Sequence, residues 1–222
     1  YAVIPIFDSH YLSVAVLLII NILHVSSFKW GKLFQGTSTM IKILMIIIFI
    51  ISGFIVGSPQ NISFYPTENY FNKIFSSSFA VSLIWVSYAY SGWNSSIYIA
   101  SDIGDPKRNV PLSMLIGTII VTILYMLLNY IFLYTTPIDL LIGKVEIGYI
   151  SGKNIFGGIG PKLIGLGISF LLLSTISSFV FIGPRILQVM GEDYSIIKIF
   201  AKKNKKDIPK NAFLFQMALS LI

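Results

Sequence analysis

Hydrophobic residues along this chain gather in long blocks and do not alternate with polar ones. Five blocks, at 9–28, 36–56, 74–103, 110–135 and 161–182, approach or exceed the roughly 20 residues that a helix needs to cross a bilayer core. A sixth starts near Ala212 and occupies 212–222. Strands of a membrane barrel need only about 9–11 residues, and a helix satisfies its own backbone groups where lipid offers them no partner. The pattern predicts an all-α membrane protein with these six spans.

The connections differ in charge. The first, third and fifth carry eleven Lys and Arg residues, including Lys29, Lys32, Lys107, Arg108, Arg185 and a cluster over 198–210. The other two carry four, Lys73, Lys144, Lys153 and Lys162. Cationic loops stay on the cytoplasmic side, so block 9–28 is expected to run inward and the rest to alternate. Composition agrees with a lipid-facing chain: 55% of residues are hydrophobic and 11% charged, where soluble domains carry about 25% charged residues. The net charge of +7 belongs to these loops, so no nucleic-acid partner is expected. With no cysteine there is no disulfide or thiolate chemistry. Two histidines, His10 and His24, are too few for most histidine-based metal sites. The chain opens at Tyr1 and stops inside an apolar block, as an internal fragment of a longer protein would.

Two connections carry more pattern than a plain loop. Segment 137–156 places Ile138, Leu141, Ile142, Val145 and Tyr149 at helical spacing, which predicts a short external helix over the bundle. Segment 195–206 sets Ile196, Ile197, Ile199 and Phe200 among lysines, which suits the cytoplasmic membrane surface. Asn61-Ile62-Ser63 matches a glycosylation sequon on an outer loop.

Candidate chemistry concentrates in three blocks. As one straight helix, block 74–103 would measure about 45 Å, too long for a hydrocarbon core of about 30 Å. Its middle reads Ser87-Tyr88-Ala89-Tyr90-Ser91-Gly92-Trp93-Asn94-Ser95-Ser96. Gly92 tolerates non-helical angles, and the serines can bond freed backbone groups. An interruption within 89–94 is expected. Broken helices are tolerated at membrane depth where they face protein or a cavity, and transporters place substrate there. A tight helix crossing built on Ser and Gly is the structural alternative.

Lys42 is the charged residue well inside a block. A central lysine costs roughly 2.5–3.5 kcal/mol, and the ten apolar residues at 41 and 43–51 return about 0.3–0.6 kcal/mol each, so the helix still inserts. Gln35, Ser38, Thr39 and Lys42 share one face, which should turn toward other helices. Snorkelling is the alternative, with Lys42 about 9 Å in from Gly36. In block 161–182, Ser174, Thr175, Ser177 and Ser178 form a hydroxyl cluster able to bond across helices or coordinate a cation. No nucleophile–histidine–acid set, Walker loop or paired buried carboxylate is visible, so an enzyme is not expected.

The run Tyr88-Ala89-Tyr90-Ser91-Gly92-Trp93-Asn94, followed by Asp102 and by Asp105-Pro106-Lys107-Arg108-Asn109-Val110-Pro111, resembles the sixth transmembrane segment and following loop of amino-acid permeases of the amino acid–polyamine–cation superfamily. Gly183-Pro184-Arg185 and Met190-Gly191-Glu192-Asp193 resemble the end of the eighth segment, and Gln35 through Lys42 the fifth, where members carry a lysine. The likeness covers segments four to nine of about twelve, and looks closest to the branch of the catalytic light chains of heteromeric exchangers, the L-type transporters. Departures are Ser101 in place of one acid of a pair, Ser91 for a frequent glycine, Asp105 for Asn, and Tyr194 for a glycine.

The resemblance implies part of a five-plus-five inverted-repeat fold with a broken sixth helix, and a secondary active transporter, symporter or exchanger, that moves amino acids by alternating access. It implies a substrate site formed by Tyr88, Ala89, Tyr90, Ser91, Gly92, Trp93 and Asn94, with Thr175 and Phe179 opposite. Carbonyls at Tyr88, Ala89 and Ser91 would accept the α-ammonium, and Tyr88 would cap the substrate. Lys42, with Ser178, would take the place of a sodium ion and couple transport, with protons as a candidate co-substrate. No cofactor or metal is implied, and an accessory subunit is left open. Expected partners are an amino acid and the lipid of a plasma or cytoplasmic membrane. The alternatives are a polyamine or other organic-cation transporter of the same fold, or a membrane subunit with no transport; the neutral Asn94 favours a neutral substrate over a dication.

Overall fold

The computed structural model describes residues 9–26, 28–62, 65, 70–204 and 208–221, and these form helices and turns without strands. The sequon, at Ser63, and the 198–210 cluster, at 205–207, each lie partly outside the described residues. The helices are α1 (Ser9–Ser26), α2 (Phe28–Val56), α3 (Tyr70–Ile74), α4 (Ser77–Ala89), α5 (Pro106–Thr135), α6 (Ile138–Leu141), α7 (Ile147–Phe156), α8 (Gly160–Asp193) and α9 (Lys210–Ser220), with 3-10 segments at Ser95–Asp102, Gly157–Ile159 and Ser195–Phe200. Three stretches are long and apolar enough to cross a membrane: Lys29–Val56, Pro106–Thr135, and Ile147–Asp193, which ends in α8. Two shorter apolar helices are His10–Ser26 and Ser77–Ala89.

Burial is distributed as lipid requires. On α2 the side chains of Met40, Leu44, Ile48, Ile51 and Ile55 are exposed while Ser38 is buried; on α5 Leu115, Ile119, Ile123 and Met126 are exposed. Large apolar side chains thus cover the outer faces, and several polar ones, Ser38, Ser174, Ser177 and Gln188, are buried, unlike a water-soluble domain. The chain is an integral membrane protein.

Two apolar clusters hold the helices. Ile20, Val180, Ile208 and Phe213 join α1, α8 and α9. Ile50, Ile131 and Ile155 join α2, α5 and α7. The second relies on Gly53, where a Cβ would come within 2.5 Å of Ile131 Cγ2, so α2 and α5 meet backbone to side chain.

Several boundaries differ from the sequence pattern. The connection expected over 29–35 is helical, because its residues are helix-compatible and hold no proline. Helix α2 is therefore 29 residues long, or about 44 Å. Block 110–135 begins at Pro106, whose missing N–H is harmless at a helix start. Helix α8 continues past Ile182 through Pro184 to Asp193, with Pro184, Arg185, Gln188 and Gly191 buried. The stripe predicted over 138–149 is not one face. Gly143, at φ 71°, turns the chain between α6 and α7, and Val145 is 98% exposed. The packed face is instead Leu141 with Ser151, Gly152 and Ile155. A turn with positive φ resets the angular register, so spacing cannot be carried across it. In 195–200, Ile196 and Ile199 are exposed, while Phe200 packs against Phe215 with the rings tilted and 5.0 Å between centroids.

In the full-length protein, Gly53→Val should destabilise by overpacking, about 1–3 kcal/mol. Gly36→Ala, at an exposed helical position with nothing within 4 Å of its Cβ, should be neutral or slightly stabilising. Thermal unfolding in detergent measures both.

Candidate functional site

The interruption expected within 89–94 is present. Ser76 caps the start of α4, its hydroxyl accepting the Phe79 N–H at 3.2 Å. The helix stops at Ala89, and a 3-10 segment begins at Ser95. Gly92 sits at φ 93°, a region that L side chains rarely adopt. Across the gap the backbone bonds become i→i−3: Ser91 N–H donates to Tyr88 O at 3.0 Å, and Ser95 N–H to Gly92 O at 3.0 Å. This is the long apolar block divided in two.

A cavity of about 390 Å³ opens at the break, lined by Ala89, Tyr90, Ser91, Gly92, Trp93, Ser95 and Ser96 and by Ser113, Met114, Gly117, Thr118, Val121 and Tyr125 of α5. The Tyr125 hydroxyl donates to Ala89 O at 3.2 Å. The Tyr90 hydroxyl donates to Thr122 Oγ1 at 3.2 Å, and the two tyrosine rings meet edge to face at 5.4 Å. Sequence reasoning missed this α5 wall. Its signal is the stripe Thr118, Thr122, Tyr125 and Asn129, spaced as one helix face, which is hidden when tyrosine is counted as apolar.

A second polar site lies between α2 and α8. Lys42 is half-buried, and its Nζ donates to Thr175 Oγ1 at 3.2 Å. Gln35 Nε2 donates to Ser178 Oγ. Each α8 hydroxyl also donates back along its own helix, Thr175 to Leu171 O at 2.9 Å and Ser178 to Ser174 O at 3.1 Å. On the α1 side, His24 Nε2 and the buried Ser177 Oγ are 2.8 Å apart. Among the described residues, the buried Asn21 Oδ1, Gln35 Oε1 and Ser174 Oγ have no hydrogen-bond partner. Lys42 stands midway along α2, about 21 Å from either end, beyond the reach of a lysine side chain. Helix α2 starts at Phe28 and not at Gly36, and the Lys42 ammonium turns to a hydroxyl of α8. A hydrogen bond to a charged donor contributes roughly 1.5–3 kcal/mol, comparable with the cost of a central lysine.

Tyr90, Ser91, Gly92, Trp93 and Ala89 thus come together at the α4–α5 cavity. Lys42, Thr175 and Ser178 come together at the α2–α8 seam. Of Tyr88, Tyr90, Asn94 and Thr175, expected to border one pocket, Tyr90 lines the cavity at the break. Helix α4 buries no residue of its own and leans on α3 and Tyr125, while Thr175 is taken by Lys42. Tyr88 is 73% exposed against Trp85, and Phe179 is 70% exposed. Asn94 Nδ2 donates to Tyr98 Oη at 3.3 Å.

The family model described as amino acid permease matches residues 5–222. The b(0,+)-type amino acid transporter 1 of Mus musculus is 26% identical over 95% of this chain and 43% of its own length. The serine/threonine exchanger SteT of Bacillus subtilis is 26% identical over 96% of this chain and 49% of its own length. The Asc-type amino acid transporter 1 of Mus musculus is 28% identical over 72% of this chain and 34% of its own length. The chain spans less than half the length of these relatives.

Amide hydrogen exchange reads the break directly. Residues 90–97 should exchange faster than residues 115–130 of α5, since i→i−3 turns beside a cavity open more easily than a helical ladder. Equal protection would mean a continuous helix. Gly92→Ala, strained at positive φ, should lower the melting temperature.

Proposed function

This chain belongs to the amino acid permease family, and on that premise we propose that the whole protein moves amino acids across a plasma or cytoplasmic membrane by alternating access. The observation that carries this reading is the helix interrupted at Gly92 beside a cavity. A zwitterion needs acceptors for its ammonium and donors for its carboxylate. A helix opened partway offers carbonyls on one half and N–H groups on the other. Ala89 O, held by Tyr125, is the carbonyl for which an arriving ammonium would compete; Tyr88 O and Ser91 O complete the set. Tyr88 and Phe179 act as apolar covers, and Asn94 and Thr175 line the path that the closed state brings together. The likeness to relatives named as amino acid transporters and exchangers supports the substrate class, and the neutral Asn94 supports a neutral side chain over a dication.

In this reading α1 to α9 contribute segments four to nine of two inverted five-helix repeats, with the lysine-rich connections in the cytoplasm. Lys42 supplies a resident positive charge where sodium-coupled relatives bind an ion, so bound sodium is not required. Its ammonium either exchanges a proton during the cycle or remains a fixed charge, and the mode is symport in the first case and exchange in the second.

Full-length protein in liposomes separates these. Uptake from a panel of amino acids and polyamines should favour neutral amino acids. Tyr88→Ala should cut uptake at least tenfold, whereas Ser52→Ala should leave it unchanged. Lys42→Met should reduce transport by a similar factor. Uptake that rises with an imposed proton gradient identifies coupling, and indifference to the gradient identifies a fixed charge. Normal transport by Lys42→Met removes both mechanisms.

A further inference from the structure

The His24 imidazole takes no part in the reading above, yet it is buried at the meeting point of three helices. Its Nε2 lies 2.8 Å from Ser177 Oγ on α8. Its ring packs on Phe181, one turn further along α8, at 5.6 Å between centroids. Against its other edge lies Gly31 of α2, where a Cβ would fall 2.5 Å from His24 Nδ1. Residue 31 is glycine because the ring occupies the space of a side chain.

Gly31 begins the stripe that carries the coupling lysine. Residues 31, 35, 38 and 42 are spaced by four, three and four, so they share one face of α2. On α8, Thr175 and Ser178 are three residues apart and meet Lys42 and Gln35, whereas Ser177 points some 100° away from Ser178 toward α1. Helix α8 is therefore gripped on two sides, by α2 through Thr175 and Ser178 and by α1 through Ser177. The same imidazole that holds Ser177 also sets how close the foot of the α2 stripe can approach.

We infer that His24 is a positioning residue for the α2–α8 seam: by bonding Ser177 and spacing Gly31, it fixes the register in which Lys42 meets Thr175 and Gln35 meets Ser178. It touches neither Lys42 nor the cavity at the break, and it acts through the helices that carry them. The inference rests on the transport reading only for its functional consequence, since the geometric consequence holds without it.

The test uses two readouts in the full-length protein. Ser38, on the same α2 face, is buried. In a background with no other cysteine, to which this chain contributes none, Ser38→Cys should be alkylated slowly. Adding His24→Leu, which fills the space but loses the bond, should raise the rate at least fivefold. His24→Gln, whose side-chain amide can donate to or accept from Ser177 Oγ, should restore protection. The second readout is uptake. His24→Leu should change KM or maximal rate at least fivefold, and should add little further loss in a Thr175→Ala background, because both changes act on one contact. A role in overall stability alone would instead multiply with Thr175→Ala. Unchanged alkylation in His24→Leu, or independent multiplication of the two losses, overturns the inference. If the unmutated protein takes up no amino acid, the transport reading fails and the alkylation rates still decide the role of His24.

Discussion

Lys42 sits midway along α2, about 21 Å from either end, inside a stretch apolar enough to cross a membrane. Its ammonium must find acceptors inside the protein, and α8 provides them through Thr175. Much else follows from that contact. It orients the α2 face that carries Gln35 and Ser38 toward α8, and this turns Leu44, Ile48 and Ile51 outward to lipid. It also explains why α8 places hydroxyl residues where a helix of this length would otherwise carry leucine. An apolar α8 would leave the lysine charge unpaired at a cost that the ten surrounding apolar residues could meet for insertion but not for a defined packing register.

The interruption at Gly92 obeys a related constraint. Backbone groups freed within a membrane need partners or a cavity, and here both occur: i→i−3 turns take some, Tyr125 takes Ala89 O, and the cavity borders the rest. Different helices serve the two polar sites, α5 for the break and α2 with α1 for the seam, while the 3-10 segment after the break packs against α8 as well as α5. Helix α4 itself buries no residue, so in the transport reading proposed above it is the element free to change its relation to α8.

Sequence pattern made the three long apolar helices legible because blocks of apolar residues need no tertiary information. It also found the break, through Ser and Gly in an over-long block, and the inward direction of Lys42, through the period of its polar stripe. It failed where one residue changes the geometry. Gly143 resets the register between α6 and α7, so an apparently continuous stripe divides. Pro184 lies near the end of an apolar block and looked like a terminus, yet the helix passes through it because Arg185 and Gln188 find buried places beyond. His24 was legible only as an isolated histidine; its role depends on Gly31 and Ser177, 153 residues apart from it in the second case. Tyr125 was hidden by a scale that scores a phenol as hydrocarbon, although its hydroxyl closes one carbonyl of the break.

The hydroxyls of Thr175 and Ser178 have each spent their proton on a carbonyl of their own helix. What they turn toward α2 is therefore lone pairs alone. This turn of α8 behaves as a surface of fixed negative polarity although it carries no acid. Such a surface discriminates by sign. It attracts an ammonium, as it does that of Lys42, and it repels a carboxylate, so any group that carries both would be aligned there with its amino end first. Polarity of this kind does not titrate, and it orients charge equally well across the whole physiological pH range.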